Sequence, residues 1–114
     1  MTDIAAANVT VSLNKFNMGD LLGVVADITY GNGSLTVPTG GIPLAKGKLG
    51  FKKYILAAMY IESSASGFKF EYDISAETLV PMYYDYDDTG DDEAIKTEGT
   101  APAATTCKYF FIGA

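Results

Sequence analysis

An all-β fold, either an antiparallel β-sandwich or a jelly roll with at most one short helical turn and an N-terminal arm, is predicted from three observations in the sequence. Apolar residues alternate with polar ones over strand-length runs. Turn signals made of glycine, asparagine, serine and aspartate separate those runs, and no long helical period lies between them. The third is Val37-Pro38-Thr39-Gly40-Gly41-Ile42-Pro43-Leu44 with its continuation Leu49-Gly50-Phe51, which reads as a hinge between two β-rich halves. Two prolines there fix φ and remove backbone donors, and paired glycines admit angles that a side chain would forbid. No ladder is expected to run through this stretch, although Pro43 could open one helical turn and Gly50 could close it.

The elements follow in chain order. Residues 1 to 8 are small and weakly patterned and suit an arm, leaving 9 to 114 as a single domain. Val9, Val11 and Leu13 alternate with Thr10, Ser12 and Asn14 as in a half-buried strand, and Met18-Gly19-Asp20 turns the chain. Val24, Ala26, Ile28 and Tyr30 then line one face of a second strand, with Asp27 and Thr29 on the wetter one. Gly31-Asn32-Gly33 predicts a tight hairpin returning through Ser34 to Val37. Lys53 to Ile61 is apolar on both faces, which fits a central strand, a strand that meets a neighbouring subunit, or a buried helix; its β-branched and aromatic content favours strand. Phe68, Phe70 and Tyr72 alternate with Lys69, Glu71 and Asp73. A turn at Ser75-Ala76-Glu77 leads into a strand from Thr78 to Tyr86, where Pro81 points to a sheet edge or a bulge. Residues 87 to 103 read as one long exposed loop, and Thr105 to Ile112 as a buried final strand.

Composition narrows the function classes. With 114 residues and 48% hydrophobic content the chain can bury one modest core. Met1 is not followed by a basic region and an apolar run, so neither a secretion signal nor a membrane span is expected. Fourteen acidic residues face eight lysines, with no arginine and a net charge of -6, which argues against nucleic acid as a partner.

Catalytic and metal chemistry find few residues to work with. The sequence has no histidine, so a side chain that titrates near neutrality and a Cys–His dyad are both missing. Cys107, the single cysteine, shares a strand face with Thr105, Tyr109 and Phe111 and reads as a buried thiol rather than a nucleophile or zinc ligand. Asp85, Asp87, Thr89 and Gly90 begin like an EF-hand loop, yet its twelfth position is Lys96 where a glutamate is needed. Asp85, Asp87 and Asp88 therefore stand as weak calcium candidates in what reads as a solvated loop tip, and no cofactor is expected. Glu71 and Asp73 share a charged exterior with Lys69, and Gly40-Gly41 lacks the continuation of a phosphate-binding loop. Eight tyrosines and six phenylalanines exceed what so small a core holds. Tyr54, Tyr60, Tyr83, Tyr84 and Tyr86, with Ile4 of the arm, are the candidate interface residues.

From about Tyr30 to Ala114 the chain resembles the head decoration, or capsid cement, proteins of tailed bacteriophages. The resemblance rests on Val37-Pro38-Thr39-Gly40-Gly41-Ile42-Pro43-Leu44 followed by Leu49-Gly50-Phe51, on Gly67-Phe68-Lys69-Phe70-Glu71-Tyr72-Asp73, and on the ending Phe110-Phe111-Ile112-Gly113-Ala114. The acidic insertion at 85 to 103 and the lack of arginine depart from it. What the resemblance implies is a β-rich subunit, commonly trimeric, that binds the major capsid protein on the outside of the virion and clamps neighbouring coat subunits. Residues 1 to 29 contribute little to the resemblance; if an N-terminal arm crosses between neighbouring subunits, deleting Met1 to Ala7 is expected to weaken capsid attachment and leave the fold intact. A tail, neck or baseplate component is the nearer alternative function, and a carbohydrate-binding sandwich the more distant one.

Overall fold

The computed structural model describes residues 2–64, 68–84, 94–96 and 102–114. Its strands are β1 (Thr10–Met18), β2 (Leu21–Tyr30), β3 (Ile42–Pro43), β4 (Ile55–Ser63), β5 (Phe68–Asp73), β6 (Thr78–Tyr84), β7 (Ala94–Lys96) and β8 (Thr105–Gly113). They form two antiparallel sheets, one in the order β1-β2-β8-β4 and the other β3-β6-β5 with β7 also paired to β6. The all-β, sandwich-like fold expected from the alternating pattern is the one observed.

The core sits where the alternation places it. Val24, Ala26, Ile28 and Tyr30 of β2 and Cys107, Tyr109 and Phe111 of β8 are buried from the first sheet, and Phe70, Leu79 and Ile42 meet them from the second. Tyr72 meets the ring of Phe111 edge-on at 5.1 Å, and Tyr30 meets Phe70 at 6.3 Å. Two tyrosine hydroxyls find backbone acceptors, Tyr109 donating to the Phe70 carbonyl at 3.1 Å and Tyr72 to that of Leu44 at 2.7 Å. Each fully buried aliphatic or aromatic side chain here contributes about 1.5–3 kcal/mol of transfer free energy. These two hydroxyls cost little to bury because they stay hydrogen-bonded.

Several local expectations are corrected. The predicted hairpin at Gly31-Asn32-Gly33 does not form, because both edges of β2 are already taken, by β1 and by β8 up to the Tyr30–Thr105 pair. The turn chemistry remains: Gly31 and Gly33 have positive φ, and the Asn32 side chain accepts from the Ser34 and Leu35 amides. The chain then leaves the first sheet for the second. A ladder does enter the proline-rich hinge, since Ile42 and Pro43 pair with Leu79 and Thr78. The helical turn starts at Lys46 rather than Pro43 and ends, as expected, at Gly50 in the left-handed conformation. A second 3-10 turn covers Ala6–Asn8, one more than predicted.

Residues 2 to 8 are docked on the domain instead of forming a free arm. Ile4 is 1% exposed within this chain's own core, and its amide donates to the Thr36 carbonyl while the Thr36 amide donates to Thr2. That removes Ile4 from the interface residues and makes the arm part of the fold. β4 is an edge strand, not a central one. Within the predicted loop, Ala94–Lys96 pairs with Tyr84 back to Met82. The expectation that Pro81 marks an edge strand or a bulge is corrected: β6 is the central strand of its sheet, Pro81 pairs with Phe70 of β5 without a register shift, and on the other side it falls between the β3 pairs at Thr78 and Leu79 and the β7 pairs from Met82 onward.

Candidate interaction surface

The outward face of the first sheet changes character at one level across β2, β8 and β4, and one outward position further on in β1, where Asn14 pairs with Val25 and Phe16 with Gly23. On β1 the outward positions run Thr10, Ser12, Asn14 and then Phe16 and Met18; on β8 they run Thr106 and Lys108, then Phe110 and Ile112. Strand register aligns the change: Asp27 pairs with Lys108, Val25 with Phe110 and Gly23 with Ile112, while Ala57 and Met59 of β4 pair with Ile112 and Phe110. Phe16 pairs with Gly23 across β1 and β2. Because Gly23 has no side chain, the Phe16 ring and the Met18 sulfur occupy the space where a Cβ would stand. Phe16 thereby reaches over β2 to stack on Phe110, at 5.9 Å between centroids and 7° between planes.

The result is a continuous apolar half-face open to solvent. Phe16 is 43% exposed, Met18 42% and Met59 55%, with Leu56 (57%) and Ile61 beside them at the two bulges of β4. Scattered exposed apolar residues are ordinary, whereas a contiguous patch rimmed by polar groups marks an interaction site.

The other half of the same face is polar. The Thr29 and Thr106 hydroxyls lie 2.9 Å apart, and the Lys108 ammonium is 4.0 Å from both Asp27 and Glu62. Asp27, Glu62, Thr106 and Lys108, with Ser63 and Ser64, border an open groove of about 300 Å³. Exposed ion pairs of this kind are worth less than about 1 kcal/mol. A second groove, of about 250 Å³, is lined by Lys46, Lys53, Tyr54, Ile55, Ile74, Ser75 and Glu77 at the β5–β6 turn. Glu77 adopts a positive φ there, and its carboxylate accepts from the Lys46 amide at 2.6 Å.

The residues singled out from the sequence fall in different places. Tyr54 is 45% exposed beside the second groove. Tyr60 is half-buried against the core, with its ring 5.5 Å from Phe70 and 6.1 Å from Tyr109, so it packs within the chain. Tyr83 and Tyr84 lie on β6, their side chains outside the described residues, as are Asp85, Tyr86, Asp87 and Asp88. Glu71 and Asp73 are exposed on β5. Among the described residues no three His, Cys, Asp or Glu side chains are grouped to hold a metal. Burial, reinforced by the Asp27 charge, pushes the Cys107 thiol up to about 12, far from thiolate reactivity. Burial likewise raises Tyr30, Tyr72 and Tyr109.

Phe16, Met18, Phe110, Ile112 and Met59 were missed, although a signal for them exists. On both β1 and β8 the apolar residue appears at the parity that carries polar ones earlier in the strand. Among the described residues no helix is long and apolar enough to cross a membrane. Comparison with known protein families, with curated proteins and with solved structures finds no match to this chain.

Proposed function

We propose that this chain is a structural virion protein, a capsid decoration or cement subunit that seats on the outer surface of a tailed-phage head, binds the major capsid protein and stabilises the coat lattice as a homotrimer. The observation that carries this reading is the apolar half-face of the β1-β2-β8-β4 sheet, where Phe16, Met18, Phe110, Ile112 and Met59 form one surface on a regular sheet. A sheet face is broad and held by its ladder, so it can cover a protein shell without a cost for backbone reorganisation beyond the lost rigid-body freedom, side-chain ordering and desolvation that any docking incurs. The polar half-face supplies register through groups that lose little if they remain wet. Repetition over symmetry-related positions turns a modest single contact into firm retention. The proline-rich hinge and aromatic strand that resemble decoration proteins support the same reading.

The test uses purified particles. The copy number of the chain relative to the major coat protein, measured by quantitative mass spectrometry, is expected to be a simple ratio set by shell symmetry. A handful of copies per particle would place the chain in the tail or neck, and absence from particles would overturn the reading. Where the ratio is met, Phe16→Asp with Met59→Asp should lower retention on washed particles at least about tenfold, an effect of about 1.4 kcal/mol per site. Full retention of the folded double variant would show that another surface docks.

A further inference from the structure

The two sheets guard their edges differently. In the second sheet β5 carries Lys69, Glu71 and Asp73 among its six residues, and on the opposite side β3 and β7 are two and three residues long. Charged and short edges resist pairing with another chain. β1 and β4, the edges of the first sheet, are nine residues each and hold one charged residue apiece, Lys15 and Glu62. β1 pairs with β2 and β4 with β8, and among the described residues no strand pairs with the outer side of either.

Exposed apolar residues collect at those same two edges. Of the seven large hydrophobic side chains exposed among the described residues, Phe16 and Met18 stand on β1, Leu56, Met59 and Ile61 on β4, and Tyr54 immediately before β4. The central strands β2 and β8 hold none of the seven. A partner that covered both edges would account for six of them.

Direction and height fit the β1 edge of one copy to the β4 edge of another. The three pairings of the first sheet are all antiparallel, so β1 and β4 run opposite ways. A second copy standing beside the first, the same way up, therefore brings its β4 antiparallel to the first copy's β1, and the sheet continues without reversal. Register links Phe16 through Gly23 and Ile112 to Ala57, and Asn14 through Val25 and Phe110 to Met59. The apolar end of β1 thus stands at the height of the apolar stretch of β4, and no shift along the strands is needed to bring them together. Between its bulges β4 keeps a regular register from Ala57 to Tyr60, which leaves four residues for a ladder to join. Charge separates this arrangement from its rivals. β1 against β1 would set two copies of Lys15 along one seam and β4 against β4 two of Glu62, whereas β1 against β4 sets one of each sign.

We propose that copies of this chain associate edge to edge, β1 of one copy adding to β4 of the next and extending the β1-β2-β8-β4 sheet across the contact. Main-chain hydrogen bonds give this contact its geometry, and Phe16, Met18, Leu56 and Met59 give it apolar area. Two different edges meet, so the contact repeats from copy to copy and closes into a ring when the rotation per step allows. All copies stand the same way up, and their apolar half-faces point to one end of the assembly, as attachment to a single shell demands. The inference deepens the self-association named in the proposed function and rests on that reading only for the number of copies in the ring.

Sedimentation velocity of the purified full chain and two variants tests it. The unaltered chain is expected to associate. Phe16→Lys with Met18→Lys closes the β1 edge, and Leu56→Lys with Met59→Lys in a separate chain closes the β4 edge; each should weaken association at least about tenfold. An equal mixture of the two should form a one-to-one complex and stop there, because one variant keeps an open β4 and the other an open β1. Circular dichroism establishes that the variants are folded, and hydrogen exchange on the unaltered chain decides the matter whether or not they are: amides of β1 and of β4 should both gain protection as concentration rises. A chain monomeric at every concentration, protection gained at one edge alone, a folded single variant that associates as the unaltered chain does, or a mixture of folded variants that stays monomeric would each overturn the proposal. Retention on particles is scored separately. A chain that associates through both edges yet is absent from particles overturns the attachment alone, and one retained on particles as a monomer overturns this inference alone.

Discussion

Replacing Cys107 by alanine should remove a specific part of the alkaline sensitivity of this fold. The thiol is fully buried on the core face of β8, and its pKa rises from 9.0 to about 12 through burial first and the Asp27 charge second. The folded-state value lies above that of the unfolded chain, so this stabilisation is complete below about pH 9 and is lost as the pH climbs toward 12. Between those limits the unfolded chain ionises freely while the folded one resists, and stability falls by about 1.4 kcal/mol per pH unit from this group alone. At about pH 10.5 the loss amounts to about 2 kcal/mol, against almost none at about pH 7.5. Urea unfolding of the unaltered chain and of Cys107→Ala at both pH values measures it. The variant is expected to be less stable at neutral pH by about 1 kcal/mol, from the small space left behind, and to have the shallower pH dependence by about 2 kcal/mol. Ionisation of Tyr30, Tyr72 and Tyr109 steepens both curves at higher pH and largely cancels in the comparison. Equal pH slopes in the two proteins would refute the reasoning, and rapid alkylation of native Cys107 at neutral pH would refute its premise of burial.

Three further outcomes follow from the packing. Ile4→Ala, or removal of residues 1 to 7, should destabilise the domain by about 2–5 kcal/mol in chemical denaturation, because Ile4 fills the core. Gly31→Ala should cost about 1–3 kcal/mol by the same assay, since Gly31 has φ 92° and an added Cβ would stand 2.5 Å from the Ala103 carbonyl oxygen. Tyr109→Phe should lower stability by about 1 kcal/mol, with the Phe70 carbonyl losing the donor that links the two sheets, and a thermal midpoint unchanged within error would count against that link.

How much of this protein was legible beforehand varies by element. Thr105, Cys107, Tyr109 and Phe111 on one face of the last strand, and Val24 to Tyr30 on one face of the second, follow from the two-residue period of a strand, which no tertiary contact can alter. Gly50 as the end of a helical turn follows from its tolerance of positive φ, and Cys107 as an inert thiol from its apolar flanks. These are local properties, decided by the chain within a few residues of itself.

Partners were decided only in three dimensions. Gly31-Asn32-Gly33 carries sound turn chemistry but no hairpin, because β1 and β8 occupy both edges of β2 and a strand has only two. Ile4 is buried because Asp3 and Thr36 bridge across more than thirty positions of sequence, a contact no short window contains. The interaction surface behaves the same way. Phe16, Phe110 and Met59 are each an isolated break in a polar parity, and they become one face only when register sets Gly23 beneath Phe16 and Phe110 between Val25 and Met59. The sequence by itself determined that this chain makes strands, which side of most of them is apolar, and where its charges cluster; the tertiary structure decided which strands are neighbours, and therefore which apolar residues are covered and which are left facing outward.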